Sequence, residues 1–128
     1  APADVDGPAA ISSVLDADGK LHEKIYDVAL ADDRKVGADG SVPPVGNSVN
    51  VKTATYTNDI GDSQLAAVWT DPDFDPGRRA AYYVRVLEIP TPRWSMFDAK
   101  EMGTPHPDDL PQVIQERAYS SPIWYDHH

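Results

Sequence analysis

One stretch of the sequence, residues 80–94, constrains the fold more than any other. Between residues 80 and 89, β-branched and aromatic side chains dominate and both alternating faces are largely apolar. This pattern is typical of a central strand that is covered on both sides. Pro90 and Pro92 follow, and each fixes φ and lacks an N–H donor. The strand should therefore end here and leave the sheet as a stiff, extended segment.

The stiff segment leads directly to Arg93 and Trp94, which it should hold in a defined position. These two residues are therefore our candidate substrate-binding residues. The alternative is that they serve the fold, with Trp94 closing the core and Arg93 pairing with a nearby carboxylate, because buried aromatic side chains more often pack than bind. For the core we predict Trp69, Tyr83 or its neighbour Tyr82, Val84, Val86 and Leu87.

Turn-forming residues are spread along the whole chain. The 128 residues include 12 prolines and 8 glycines, and no long apolar helical repeat is visible, which indicates short strands joined by turns. We predict a mainly β fold: an antiparallel β-sandwich-like module with long loops and little helix. Further strands are expected at residues 11–15, 21–31, 49–57 and 64–70, a helical turn at 95–101, and a final edge strand within 113–125.

The length fits one ordinary domain and is too short for two. Residues 1–15 are interpreted as a linker or a truncated first strand, and residues 16–126 as a single β-rich domain. Residues 32–47 and 102–111 are expected to be surface loops, because glycine, proline and charged residues dominate them. His127 and His128 look like the remnant of a purification tag and carry no functional argument.

The charge balance limits the partners. With 11 basic and 21 acidic side chains the net charge is −10, which disfavours nucleic acid and anionic membranes and leaves metal cations or another protein. No run approaches the ~18 apolar residues of a membrane span, and no signal-peptide pattern is present in the sequence. Because there is no cysteine, disulfides, thiolate nucleophiles and Cys-zinc sites are excluded.

Asp71, Asp73 and Asp75 have the spacing that can turn several carboxylate oxygens toward one hard cation. They are a weak calcium candidate, because an EF-hand loop would need Gly at Pro76 and a bidentate Glu at Tyr82. The same residues are also typical of a turn, in which Asp side chains form hydrogen bonds with the nearby backbone and Pro fixes φ. Both interpretations remain open from the sequence.

Two further groups of residues have a functional and a structural interpretation. A cluster of arginines, with only Glu88 as an acid among residues 78–93, could receive a carboxylate, phosphate or sulfate, or could pair with neighbouring aspartates. The aromatic residues could form a surface for stacking sugars or could fill the core. The arginine cluster comprises Arg78, Arg79, Arg85 and Arg93. The aromatic residues are Trp69, Trp94, Trp124 and the six tyrosines.

No catalytic motif is visible. His22 and His106 lie far apart and in no metal-ligand spacing, and the sequence has no Ser-His-Asp or Cys-His signature and no phosphate-binding glycine loop. We therefore predict no catalytic residue and no cofactor in this chain, which by itself should not be an enzyme.

Several long segments resemble a known family when they are taken together and in order. They are DADGKLHEKIYDVA (16–29), VNVKTATYTN (49–58), AVWTDPDFDP (67–76), the central strand through Arg93 and Trp94, and IQERAYSSPIWY (114–125). These segments resemble the C-terminal part of the bacterial domain-of-unknown-function 3604 family.

The resemblance implies a larger, usually exported or periplasmic protein. Its N-terminal part looks like a metal-dependent hydrolase of the polymerase-and-histidinol-phosphatase type, and that part would hold the divalent metal and the catalytic residues. The first hypothesis is therefore that this chain is the supporting C-terminal β domain, which packs on the hydrolase domain and contributes to its substrate mouth. The alternative is a free-standing binding module for calcium, carbohydrate or a partner protein; either would be compatible with a homo-oligomer.

Overall fold

A computed structural model describes residues 3–127 of the protein. It contains seven strands and one helix within that range. In chain order they are β1 (Val5–Leu15), β2 (Leu21–Asp27), β3 (Ala80–Glu88), β4 (Thr91–Pro92), α1 (Trp94–Met102), β5 (Val113–Ile114), β6 (Arg117–Tyr119) and β7 (Ile123–Tyr125).

The strands form one large and one small antiparallel sheet. The main sheet has the order β2-β1-β3-β6, and β7 pairs with β3 alongside β6. The second sheet consists only of β4 and β5. The connection from β2 to β3 is long and contains no strand among its described residues. The prediction of a mainly β, antiparallel module with long loops and little helix is confirmed.

Strand β1 is a central strand of the main sheet. Ile11 lies opposite Ile25 of β2 on one side and opposite Tyr83 of β3 on the other. The strand begins at Val5, so residues 5–15, interpreted as part of a linker or a truncated first strand, form a strand that is longer than the one predicted at 11–15. Small side chains such as Ala9 and Ala10 have little strand propensity of their own, but here they lie between β2 and β3 and are buried.

Strand β2 confirms the first part of the strand predicted at 21–31. It ends at Asp27, after which the N–H of Val28 still donates to Pro8 and that of Ala31 to Asp6. The strands predicted at 49–57 and 64–70 are wrong. Residues 50–55 form a turn closed by two backbone hydrogen bonds, and residues 64–70 contain no regular structure. Their Val and Thr residues lack a neighbouring strand, and strand propensity depends on such a neighbour.

Strand β3 confirms the central strand predicted from residue 80. It ends at Glu88, and Ile89, Thr91 and Pro92 behind it are all buried. Helix α1 confirms and extends the predicted helical turn. It ends at Met102 and is capped by Gly103 in the left-handed conformation (φ 64°), whose N–H donates to the carbonyl of Lys100.

The predicted final edge strand exists, with an interruption. β6 and β7 both pair with β3, but their registers differ by one residue: Tyr119 lies opposite Arg85, and Ile123 opposite Tyr82. Ser120 bridges the interruption, because its N–H donates to the Val84 carbonyl and its hydroxyl accepts the Val84 N–H. Proline next to this bulge is tolerated at an edge because it need not donate to the ladder.

The core prediction is wrong. Val84 is 38% exposed, and the other predicted core residues are only partly buried. β3 has side chains of large volume on both faces, but loops and short strands cover them incompletely. The buried apolar residues are instead mostly small: Ala9, Ala10, Ile11, Ala31, Ala54, Ala80, Ile89, Met96 and Ala99.

Candidate functional site

The backbone at the start of α1 holds Arg93 in a fixed place. Arg93 is the N-cap residue with extended backbone angles (φ −63°, ψ 150°). Its N–H donates to the Gln112 carbonyl at 2.9 Å, and its carbonyl accepts the Met96 N–H at 2.8 Å. The short pairing of β4 with β5 fixes the preceding Pro92. The sequence therefore predicted correctly that this segment is extended and anchored.

The side chains of Arg93 and Trp94 stack on each other at the surface. The guanidinium carbon lies 5.6 Å from the centroid of the Trp94 ring, a cation–π arrangement. Trp94 is 62% exposed, so it does not close the core. Arg93 forms no ion pair with any carboxylate in residues 3–127. An unpaired guanidinium beside an exposed indole at a helix N-terminus can receive an oxyanion that carries an apolar group.

A buried serine and histidine lie just behind this pair. Ser95 Oγ and His106 Nε2 are 2.9 Å apart, and Ser95 is buried. His106 Nδ1 is buried without a hydrogen-bond partner, so no carboxylate orients the ring as in a catalytic triad. The contact ties the loop after α1 back to the helix. Sequence analysis missed it because nothing in the spacing of the two residues marks them as neighbours.

Asp71 and Asp73 accept hydrogen bonds from tyrosines of the main sheet. The Tyr82 hydroxyl donates to Asp71 Oδ2 at 2.8 Å, and the Tyr26 hydroxyl donates to Asp73 Oδ2 at 2.7 Å. Lys24 forms an ion pair with the same Asp73 oxygen. The hydrogen bond from Lys24, followed by that from Tyr26, lowers the pKa of Asp73, and burial together with Asp71 raises the pKa of Tyr82 to about 12.

Asp75 turns to a different set of partners. Its Oδ1 accepts the Gly77 N–H at 2.8 Å, and its Oδ2 lies 3.1 Å from Arg78 Nε. The three aspartates are thus occupied with separate protein groups. In the described part of the chain no three His, Cys, Asp or Glu side chains are grouped so that they could hold a metal ion. The turn interpretation accounts for the geometry of these aspartates.

The arginine cluster does not assemble into one site. Arg79 binds Asp126 with two hydrogen bonds of 2.8 Å, and Arg78 pairs with Asp75. These two arginines follow the structural alternative of pairing with aspartates. Arg85 differs, because its Nε is buried and has no hydrogen-bond partner.

The aromatic residues divide between packing and exposure. Trp69 packs against Tyr26 and Tyr82, with ring centroids 4.9 and 6.3 Å apart. Trp94 and Trp124 are exposed, at 62% and 77%. Trp124 lines a cavity with a volume of about 740 Å³.

The sequence matches the family described as "Protein of unknown function (DUF3604)" over residues 3–127. The chain belongs to the DUF3604 family. No curated protein and no solved structure matches it. In the part of this DUF3604 chain that the structure describes, no helix is both long and apolar enough to cross a membrane.

Proposed function

We propose that this chain is a supporting β module of a metal-dependent hydrolase in the DUF3604 family. In this proposal the module packs on a hydrolase domain of the same protein, which we call the companion domain, and contributes Arg93 and Trp94 to the substrate mouth. The substrates would be phosphate or sulfate esters, and the protein would be periplasmic or otherwise exported. Family membership and the earlier segment resemblance motivate the hydrolase.

The observation that carries the proposal is the presentation of Arg93 and Trp94. Arg93 has a fixed backbone and no carboxylate partner within residues 3–127, and its neighbour Trp94 is exposed. An arginine that served only the fold would be expected to pair with a carboxylate, as Arg79 does with Asp126. The guanidinium fork is complementary to two oxygens of a phosphate or sulfate group.

The proposed roles of this chain and of the companion domain follow from the residues present. Residues 3–127 lack a group of three metal-ligating side chains, so the proposal assigns the metal to the companion domain. A divalent metal there would supply an activated water. Arg93 would bind and orient the ester oxyanion, and the Trp94 ring would contact the rest of the substrate. Neither residue would transfer a proton.

The test is Arg93→Lys in the complete DUF3604 protein that the gene encodes. Because lysine keeps the charge but loses the planar fork, we expect kcat/KM for phosphate or sulfate esters to fall. In the 128-residue chain alone the free energy of unfolding should change by less than ~0.5 kcal/mol, as for most surface substitutions. Arg78→Lys, at an arginine paired with Asp75, is the matched control and should leave kcat/KM unchanged.

Three results would contradict this function. One is unchanged kcat/KM for Arg93→Lys, which would remove Arg93 from the mouth. Another is metal-dependent ester hydrolysis by the pure 128-residue chain, which would place the active site in this chain. The third is a gene that encodes no hydrolase domain.

The second candidate is a free-standing binding module for calcium, carbohydrate or a partner protein. The exposed Trp124 beside a cavity favours the carbohydrate version, since an indole face stacks well on the apolar face of a sugar. Binding of a neutral oligosaccharide by this chain, lost in Trp124→Ser, would support it.

A further inference from the structure

The cavity of about 740 Å³ lies on one face of the main sheet, beside β7. Its floor consists of small side chains. Ser13 of β1 lies opposite Ala81 of β3 in the antiparallel register, so both side chains are on the same face of the sheet, and both line the cavity. The sheet surface is recessed at this point because neither side chain fills the space above the backbone.

Larger side chains form the walls of the cavity. Trp124 of β7 lies opposite Ala81, and Tyr83 is the next residue of β3 on the same face. On the other side of the floor, Leu15 of β1 lies opposite Leu21 of β2. The recess is therefore enclosed by an indole, a phenol ring and two leucines.

The cavity is confined to one end of the sheet face. Toward the middle of the sheet, Ile11 lies opposite Tyr83 and is only 2% exposed, so the face is filled there. Sites for small molecules have volumes of about 300–1,000 Å³ and mostly apolar walls, and this cavity has both properties. Its size and boundaries fit a small molecule rather than the surface of a protein.

The indole of Trp124 indicates the shape of the ligand. Trp124 is 77% exposed, and within residues 3–127 it packs against no other aromatic ring. Leu21 on the other side of the recess is 62% exposed. A flat apolar ring between these side chains would remove both from water and could stack on the indole.

Arg79 supplies a hydrogen-bond donor at the edge of the cavity. Its Nε and Nη2 each donate to Asp126 at 2.8 Å, which fixes the plane of the guanidinium, and both residues line the cavity. The Nη1 donors of Arg79 take no part in this pair. A ligand oxygen that reaches the edge of the cavity could accept a hydrogen bond from Nη1.

The charges around the cavity favour an uncharged ligand. Asp126 already neutralises Arg79, and Glu23 lies exposed on β2 opposite Ser13 of the floor. These acids and the net charge of −10 disfavour an anion, while the Arg79 guanidinium disfavours a cation. Either ion would also lose its hydration among mostly apolar walls.

The same walls disfavour a sugar inside the cavity. A sugar could stack on Trp124, but its hydroxyl groups would point toward Leu15 and Leu21, which offer no hydrogen bond. A polar group that is buried without a partner is costly. An aromatic ring system carries no such groups around its edge.

We propose that this cavity binds an uncharged, flat aromatic compound that carries one hydrogen-bond-accepting oxygen. The rings lie over Ser13 and Ala81 and stack on Trp124, and the oxygen accepts a hydrogen bond from Arg79 Nη1. Neither Arg93 nor Trp94 lines the cavity, so the inference does not depend on the proposed function.

The test is a titration of the 128-residue chain with 2-acetylnaphthalene, an uncharged aromatic ketone, followed by NMR of the Trp124 indole N–H. We expect a saturable shift of this signal. 2-Ethylnaphthalene lacks the oxygen and should bind severalfold more weakly, and 2-naphthoate, which is an anion, more weakly still. The absence of a saturable Trp124 shift, or equal affinity for the ketone and the anion, would overturn the proposal.

Two substitutions test the place of binding. Ala81→Leu fills the floor and Trp124→Ser removes a wall, so each should raise the Kd for 2-acetylnaphthalene about tenfold or more. Ile123→Ser is the matched control: Ile123 precedes Trp124 on β7 and is 73% exposed, but it lies opposite Tyr82 on the other face. This control should keep the wild-type Kd. Circular dichroism establishes that each variant is folded, and a folded Ala81→Leu chain with the wild-type Kd would contradict the site.

Arg79→Gln tests the hydrogen bond separately from the packing. It should raise the Kd for 2-acetylnaphthalene severalfold and leave the Kd for 2-ethylnaphthalene unchanged, because only the ketone has an oxygen to accept the bond. An equal change for both compounds would remove Arg79 from ligand recognition.

A sugar is the competing ligand that the same titration can detect. If methyl β-glucoside shifts the Trp124 signal with a lower Kd than 2-acetylnaphthalene, the aromatic ligand is wrong and the carbohydrate-binding module is favoured. If the glucoside causes no saturable shift while the ketone does, the cavity is selective for the aromatic compound, as proposed.

Discussion

At the scale of single residues, Arg34 is the most extensively bonded side chain of the β2–β3 connection. It forms an ion pair with Asp6 and donates to the carbonyls of Ala31 at 2.9 Å, Pro43 at 2.8 Å and Asp6 at 2.7 Å. Both members of the ion pair are largely buried, with side-chain exposures of 11% and 14%. Arg34 therefore ties the connection to the beginning of β1.

We expect Arg34→Ala to lower the free energy of unfolding by about 3 kcal/mol. Removing one member of a buried ion pair leaves the Asp6 charge uncompensated, with a hydrogen bond from Gln115 Nε2 at 3.0 Å, and removes the guanidinium donor to the Pro43 carbonyl. Arg78→Ala is the control, because the pair with Asp75 is exposed and should contribute less than ~0.5 kcal/mol. Urea denaturation of both variants measures the difference. A loss below 1 kcal/mol for Arg34→Ala would show that the connection is held by other contacts.

The sequence identified residues that are positioned by their neighbours in the chain. It did not identify residues that are positioned by partners far away in the chain. Arg93 was predicted from Pro90 and Pro92, which act on the adjacent backbone. Arg34 was hidden in a polar, glycine-rich stretch, because its partner Asp6 is 28 residues away in sequence. The buried Ser95 and His106 contact was hidden for the same reason. Only the fold brings such residues together.

At the scale of elements, the β2–β3 connection is held over the sheet by tyrosine–aspartate hydrogen bonds. Tyr82 of β3 donates to Asp71 of the connection, and burial is the first cause that raises its pKa to about 12 from an ordinary value of 10.0. The folded state thus holds the phenolic proton more tightly than the unfolded state. The stability from this proton is complete below pH 10.0 and is lost as the pH rises to about 12.

Tyr82→Phe should flatten this alkaline loss of stability. Phenylalanine keeps most of the packing against Trp69 and has no proton to lose, so the free energy of unfolding should fall less steeply between pH 10 and 12 than in the wild type. Chemical denaturation at a series of pH values measures the slope. Identical slopes for Tyr82→Phe and the wild type would mean that another group causes the alkaline loss.

The elements predicted correctly are those with strong local signals. β3 has a dense β-branched and aromatic sequence that ends at Pro90, and the final edge strand was predicted within residues 113–125, although its interruption at Ser120 was not. β1 was underestimated because its alanines become strand residues only between two neighbouring strands. A strand was wrongly predicted at residues 49–57, because residues with high strand propensity do not form a strand without a partner strand, and residues 50–55 form a turn instead. Long-range pairing decided each of the errors.

At the scale of the whole molecule, the dominant property is the net charge of −10. The excess negatively charged side chains repel one another in the compact folded state, and added salt screens this repulsion. The buried pair of Arg34 and Asp6 is screened much less than exposed pairs such as Lys24 with Asp73. Repulsion spread over the whole surface should therefore respond to salt more strongly than the internal bonding of the β2–β3 connection.

We expect the Tm of the chain to rise with sodium chloride, and calcium to add nothing beyond magnesium at the same ionic strength. Asp71, Asp73 and Asp75 are engaged by tyrosine hydroxyls, Lys24 and Arg78, so a calcium ion would have to displace these partners. Thermal denaturation in matched calcium and magnesium chloride separates specific binding from screening, because only a specific ligand stabilises the folded state by mass action. Asp75→Asn serves as the control, since it removes one carboxylate of the three. A calcium-specific rise in Tm that is lost in Asp75→Asn would establish the calcium site that the aspartate spacing first indicated.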